Sequence, residues 1–151
     1  MALPVRVTDD DLPTLRSLDE IVELTQRCQS LYVRWSLGPH ADQDSTSNDD
    51  LTGVSLPGLS ANSLAVADWW GDRSLRLWVA RRLYDYRHLR ELRGPDVRPW
   101  LLQGREVARG PDNEPLVVCE RAIAWLQLGV IETATKLVDD QHAQWGPLRR
   151  G

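Results

Sequence analysis

The sequence predicts an α+β fold, with a small, mostly antiparallel sheet packed against a long Arg-rich helix and against N- and C-terminal helices. The main observation is the order of the elements, which reads helix, two strands, long helix, two strands, helix. A parallel α/β protein would alternate strands and helices regularly, and this chain does not. The length of 151 residues favours one domain. We expect a single domain over residues 17–143, a flexible N-terminal arm over residues 1–16 and a frayed tail over residues 144–151.

The first helix begins with a capping box. Ser17 stands at the N-cap position, and Glu20 follows three residues later. An apolar stripe with helical spacing then runs to about Gln29. Its members are Leu18, Ile21, Val22 and Leu24.

A buried strand is predicted next, over Leu31–Ser36, because Leu, Tyr, Val and Trp are concentrated in one short run. Side chains alternate between the two faces of a strand. One face therefore carries Leu31, Val33 and Trp35, and the other carries Tyr32, Arg34 and Ser36.

Residues 40–50 form an acidic connection with four Asp and almost no apolar side chain. A solvated loop is the simpler interpretation, and a calcium loop is disfavoured because the acidic spacing does not fit an EF-hand.

Thr52–Leu56 is predicted to be a second strand, and Pro57-Gly58 a turn. Paired strands would make Leu31–Ser63 a hairpin-like unit, with Ser60 and Asn62 near the polar face of Leu31–Ser36.

The long helix is predicted from about Arg73 to Leu92. Seven Arg lie between Arg73 and Arg93, against only Asp85 and Glu91. Two interpretations stay open. The basic face is either solvated and paired with the acidic loop, or it is a docking surface for an acidic partner or phosphates.

The C-terminal part is predicted to hold a β-hairpin followed by helix. The hairpin strands are Pro99–Gln103, Glu106–Arg109 and Pro115–Glu120, with a bulge at Gly104 and turn residues from Gly110 to Asn113. Arg121–Leu128 and Val130–Gln141 are expected to be helical, with a break at Gly129.

Composition narrows the function classes. The net charge of −4 and the pI of about 5.3 argue against general nucleic-acid binding, which depends on a basic surface. No apolar run reaches the length of a membrane span, and no secretory signal is visible, so we expect a cytoplasmic protein. Cys28 and Cys119 fit neither a disulfide framework nor a metal pattern. No metal site and no cofactor is predicted.

Four segments carry a resemblance to a known family. They read LYVRWSLGP (31–39), LPGLSANSL (56–64), WVARRLYDY (78–86) and GREVARGPDNEPLV (104–117). As a set they resemble a family of small actinobacterial proteins of unknown function, over roughly residues 17–120. The resemblance implies a bacterial, cytosolic, single-domain protein and supplies no mechanism.

One hypothesis makes the protein an enzyme. Arg34, Ser60 and Glu114 resemble the Arg/Ser/Glu constellation of ADP-ribosyltransferases, which implies NAD as a cofactor. The Arg would hold the pyrophosphate, and the carboxylate would stabilise a cation-like transition state. The sequence departs from that family, because Ser60-Ala61-Asn62 only loosely matches its serine-threonine-serine run and Glu114 is followed by Pro115.

The favoured hypothesis is a small binding or interaction module that recognises an anionic small molecule or an acidic partner. A structural role for the same side chains is the third possibility. Arg34 would then pair with Asp49 or Asp50, and Ser60 and Asn62 would cap a helix. The residues predicted to line a binding site are Tyr32, Arg34, Ser36, Ser60, Asn62, Trp69 and Trp70.

Overall fold

The computed structural model describes residues 12–42, 57–85, 96–110 and 115–145. This part of the chain contains three helices of ten or more residues and a six-stranded sheet. The strands are β1 (Thr14–Leu15), β2 (Leu31–Ser36), β3 (Leu59–Ser60), β4 (Asn62–Ser63), β5 (Arg98–Arg109) and β6 (Pro115–Leu126). The helices are α1 (Leu18–Arg27), the one-turn α2 (Pro39–Asp42), α3 (Leu75–Asp85) and α4 (Leu128–Trp145), and Asp68–Trp70 forms a 3₁₀ turn. The predicted α+β class is confirmed.

Local signals determine α1 and β2 as predicted. The Ser17 hydroxyl accepts a hydrogen bond from the Glu20 backbone N–H at 3.3 Å, and the Glu20 carboxylate accepts one from the Arg16 N–H at 3.0 Å. The bond to Ser17 satisfies a backbone donor that the first turn of a helix leaves without a partner, and the bond from Arg16 ties the preceding residue to the helix. Strand β2 covers Leu31–Ser36, and all six of its residues are buried.

The sheet is mixed, so the prediction of a mostly antiparallel sheet is wrong. Strand β1 runs parallel to β6, with Thr14 opposite Trp125, and the other strand pairs are antiparallel. The carbonyl of Pro13 accepts a hydrogen bond from the Trp125 N–H at 2.9 Å. A two-residue strand is too short to show a periodic pattern in the sequence. For this reason β1 is not predicted, and its residues fall within the range 1–16 that is predicted to be a flexible arm.

The β5–β6 hairpin is long and bent. Gln103 pairs with Arg121 and Gly104 pairs with Cys119, so that β6 carries one extra residue there, Glu120. This is the bulge predicted at Gly104. Two further register shifts occur along the same pair of strands. Bulges bend a strand and increase its twist, which curls this hairpin.

The curled sheet is closed by residues 59–63. In β3, Leu59 pairs with Val117 of β6; in β4, Asn62 pairs with Val33 of β2. Only Ala61 separates β3 from β4. The segment therefore bridges β6 to β2 and covers the concave side of the sheet, which we call the curled interior. Its apolar side chains are Tyr32, Leu59, Ala61, Trp100, Leu102, Val117 and Trp125.

The other face of the sheet carries the helices. Helix α3 packs against both α1 and α4. The apolar residues of β2 that point to this side, Leu31, Val33 and Trp35, belong to the same buried cluster as residues of all three helices. Burying this face supplies the larger core, and the predicted division of β2 into two faces is confirmed.

Two helix predictions require correction. The structure shows no long Arg-rich helix: α3 covers Leu75–Asp85, and residues 86–95 lie outside the described part. Arg121–Leu126 is strand rather than helix, because pairing with β5 fixes it while Ala122 and Trp125 pack into the curled interior. Tertiary pairing here outweighs local propensity.

Gly129 does not break the C-terminal helix and lies in the first turn of α4. The predicted strand Thr52–Leu56 falls outside the described residues. None of the described helices combines the length and apolar content needed to cross a lipid bilayer.

We expect Gly104→Ala to destabilise the fold by about 1–3 kcal/mol. A Cβ at this position would lie 2.7 Å from the Val118 carbonyl oxygen and 2.8 Å from Leu102 Cδ1. Gly129→Ala is the matched control, since a Cβ there meets nothing within 4 Å and Ala favours helix by up to about 1 kcal/mol. Urea unfolding of the two variants tests this. Equal midpoints would contradict the close approach at Gly104.

Candidate functional site

Arg34 points into the curled interior from the middle of β2. It lies opposite Trp100 of β5, and only 7% of its surface is exposed. A charged side chain this deep is costly unless its charge is opposed and its donors are bonded. The contacts of its guanidinium therefore decide whether it could bind a ligand.

A carboxylate from the same chain opposes this charge. Arg34 Nε donates to Asp42 Oδ2 at 2.7 Å, and Nη2 donates to Asp42 Oδ1 at 3.3 Å. Both side chains are almost buried, with 8% and 11% exposed. The bond pattern is the two-point contact that a planar guanidinium forms with a carboxylate. An anionic ligand at Arg34 would have to replace Asp42.

A third donor of Arg34 reaches across to β3. Nη1 donates to the Ser60 carbonyl oxygen at 2.6 Å. The predicted neighbours Arg34 and Ser60 are thus brought together, through the backbone of Ser60. One guanidinium joins β2, the end of α2 and the start of the segment that closes the sheet.

Ser36 extends this network to β5. Its hydroxyl oxygen accepts from Trp100 Nε1 at 2.9 Å and from the Gly38 N–H at 3.1 Å, and the hydroxyl donates to Asp42 Oδ2. A hydroxyl has one donor and two acceptor sites, and all three are used. We call this network of Arg34, Ser36, Asp42, the Ser60 carbonyl and Trp100 the Arg34 clasp.

The remaining predicted residues of this region divide between the two sides of the sheet. Tyr32 lies in the curled interior with Arg34 and Ser36. Asn62 pairs with Val33 and not with Arg34. Directly opposed residues of an antiparallel pair project to the same face, so the Asn62 side chain lies on the helix side. Glu114 lies outside the described residues, as do Asp49 and Asp50.

Two titratable groups of the curled interior have displaced pKa values. Burial raises the pKa of the Tyr32 phenol above 10.0, and the charge of Glu106 raises it further, while Arg109 lowers it. Burial also raises the pKa of the Cys119 thiol. Both groups are thereby held in their neutral forms. Among the described residues, no group of three or more His, Cys, Asp or Glu could hold a metal ion.

Trp69 and Trp70 lie on the helix side and belong to a different surface. Trp70 is buried, and its Nε1 donates to the carbonyl oxygens of Arg73 and Ser74, both at 3.2 Å. Trp69 is 54% exposed, although its ring meets those of Trp70 and Trp78 edge-on at 5.9 and 5.6 Å. The structure therefore does not bring the two tryptophans together with Arg34.

Arginines accompany these indoles. The Arg73 guanidinium lies 5.1 Å from the centre of the Trp70 ring, and that of Arg82 lies 5.7 Å from the Trp78 ring. Both distances suit cation–π attraction. Val66, 41% exposed, precedes Trp69 by three residues. We call the exposed residues Val66, Trp69 and Arg73, with the indoles beneath them, the Trp69 surface.

Sequence reasoning missed Asp42 and Trp100 as parts of the clasp. The sequence places Asp42 in the acidic connection and Trp100 in the hairpin, and it indicates no contact of either residue with Arg34 or Ser36. Neither is marked by spacing: Asp42 reaches Arg34 because α2 turns the chain back, and Trp100 reaches Ser36 because β2 and β5 pair. The chemical signal, an Arg alternating with a Ser on a buried strand, was present and indicated this face.

Comparisons with known proteins yield one match. A family model described as a family of unknown function (DUF6098) matches residues 8–146. No curated protein and no solved structure matches the chain.

We expect Arg34→Met to cost about 3–5 kcal/mol of stability, because it leaves Asp42 buried without its counter-charge. Asp42→Leu should cost a similar amount. The double variant should lose less than the two single losses combined, since no unpaired charge remains. Urea unfolding gives the three free energies. Arg76→Met is the control: it breaks the exposed Arg76–Asp19 pair and should cost under about 1 kcal/mol. Strictly additive losses would contradict a coupled pair.

Tyr32 should make the stability depend on pH in the alkaline range. Its pKa in the folded protein is raised above 10.0, so the unfolded chain releases this proton first. The contribution to stability is complete below 10.0 and is lost as the pH rises through the folded-state pKa. The free energy of unfolding should therefore fall more for the wild type than for Tyr32→Phe when the pH is raised from below 10.0 to above the folded-state pKa. Equal losses would count against the burial of this phenol.

Proposed function

The chain belongs to a family of unknown function (DUF6098), and we propose that it is a small interaction module that binds an acidic partner at the Trp69 surface. The observation that carries the proposal is the 54% exposure of Trp69 on a base of buried indoles. A partner that covers an exposed indole buries a large apolar surface. Trp and Arg are also among the residues most enriched at the interface positions that contribute most of the binding free energy.

The rigidity of the surface supports the proposal. Trp70 and Trp78 are buried, and their N–H groups are bonded to backbone carbonyls, that of Trp78 to Leu64 at 3.0 Å. Trp69 therefore rests against two fixed rings. Binding loses less free energy to side-chain ordering when the contact residue is already held in place.

The charge around Trp69 supports an acidic partner. Arg73 is exposed and stacked on Trp70, and within the described parts of the chain no carboxylate forms an ion pair with it. Arg82 lies on the next indole of the cluster. Asp68 and Asp72 flank the same stretch and would repel an acidic partner. We therefore expect the carboxylates of the partner to contact Arg73.

An anionic small molecule in the curled interior has less support. It would use Tyr32, Arg34 and Ser36, but Asp42 already opposes the charge of Arg34. The NAD-dependent transferase hypothesis needs the same guanidinium for a pyrophosphate. The contacts of Arg34 thus favour the exposed surface over the interior as the place of recognition.

A cytoplasmic, actinobacterial setting is part of the proposal. Cys28 and Cys119 are both free, and free thiols suit a reducing compartment. The use of Arg at 17 of 18 basic positions suits a genome rich in G and C.

A peptide-display selection tests the proposed partner chemistry. Peptides selected on the wild-type protein should be rich in Asp, Glu and apolar residues. Their affinity, measured by fluorescence anisotropy, should fall about tenfold or more with Trp69→Ala, the size of effect typical of a central interface Trp. Arg73→Glu should also weaken binding, and added salt should weaken it because exposed charges are screened.

Matched controls use other exposed positions. Leu37→Ala removes an exposed apolar side chain, and Arg105→Glu makes the same charge change on β5. Both should bind like the wild type. Trp69→Ala loses its ring contacts with Trp70 and Trp78 and should melt somewhat lower, so binding is measured at a temperature at which all four variants are folded. Selected peptides that bind Trp69→Ala undiminished, or that show no acidic enrichment, would refute the proposal.

A further inference from the structure

Two bonds of Arg34 go to residues on either side of segment 43–56. Asp42 is the last residue of α2, just before that segment, and Ser60 lies in β3, three residues after Pro57. We infer that Arg34 is a positioning residue that fixes both ends of this segment to β2. This role is independent of the Trp69 surface.

Only an arginine can make this pair of contacts. Nε and Nη2 face the carboxylate on one edge of the guanidinium, while Nη1 donates to a carbonyl in another direction. A lysine has one nitrogen at the end of a flexible stem and lacks this fixed fork. Arg34→Lys would keep the charge and lose the two-ended attachment.

Each attached end is also positioned from a second side. Ser36 binds Asp42, and Trp100 of β5 binds Ser36, so the carboxylate is oriented by two strands. At the returning end, Gly58 approaches β6 so closely that a Cβ would lie 3.1 Å from the backbone N and O of Val117. The ends therefore have defined places on the sheet.

Arg34 should therefore stabilise α2 and β3 more than it stabilises the helix-side core. Closing a loop costs conformational entropy that rises only slowly with its length, and here contacts of β2 offset that cost. Loss of Arg34 should free α2 and β3 first, because the helix-side core does not include them.

Hydrogen exchange of the full chain, read by mass spectrometry, tests the inference. The Asp42 N–H, bonded to Gly38 at 3.0 Å, and the Ala61 N–H, bonded to Pro115 at 3.3 Å, report the two ends. In Arg34→Met both should exchange faster, and by a larger factor than the amides of α1 and α4, which accelerate only as far as the global free energy of unfolding falls. Arg34→Lys should behave like Arg34→Met.

Asp42→Asn is the milder variant and separates the two ends. It should speed exchange at residues 39–42 and leave residues 57–61 close to wild type, since the bond from Arg34 to Ser60 remains. Arg76→Met, which breaks an exposed pair, should change neither end. Equal acceleration of α1, α4 and both ends in Arg34→Met, or acceleration at one end only, would overturn the inference.

Discussion

The buried pair of Arg34 and Asp42 is the interaction on which the concave side of this protein depends. Two opposite charges with 8% and 11% exposure are stable only while they remain together, because either one alone would be a buried, uncompensated charge. The same guanidinium also connects to β3, since Nη1 of Arg34 donates to the Ser60 carbonyl oxygen. Breaking the pair would therefore disturb three elements, β2, α2 and β3, rather than one contact.

The curl of the sheet explains why such a pair exists here. Bulges in the β5–β6 hairpin bend the sheet until residues 59–63 can bridge β6 and β2. A closed sheet of this kind has an interior, and a polar strand face that would be solvated in a flat sheet becomes buried in it. The polar residues must then satisfy one another, as Arg34, Asp42, Ser36 and Trp100 do. The exposed indole of Trp69 lies instead on the outer, helix-side surface.

The predictions that succeeded rest on local chemistry. The capping box at Ser17 and Glu20 placed α1, alternation in Leu31–Ser36 placed β2 and its two faces, and Gly104 marked a bulge. Two of the predictions that failed concern distant pairing. Arg121–Leu126 has ordinary helix formers and becomes a strand only because β5 lies beside it, and β1 exists only because Trp125 bonds to Pro13.

The sequence by itself determined that Tyr32, Arg34 and Ser36 share one face of a strand, because alternation is a property of the extended backbone. A buried Arg at this position also needs an anionic partner. Only the tertiary structure decided which anion that is. Asp42 meets Arg34 because α2 folds the chain back over β2, and the spacing of residues along a sequence does not specify the path of the chain in space.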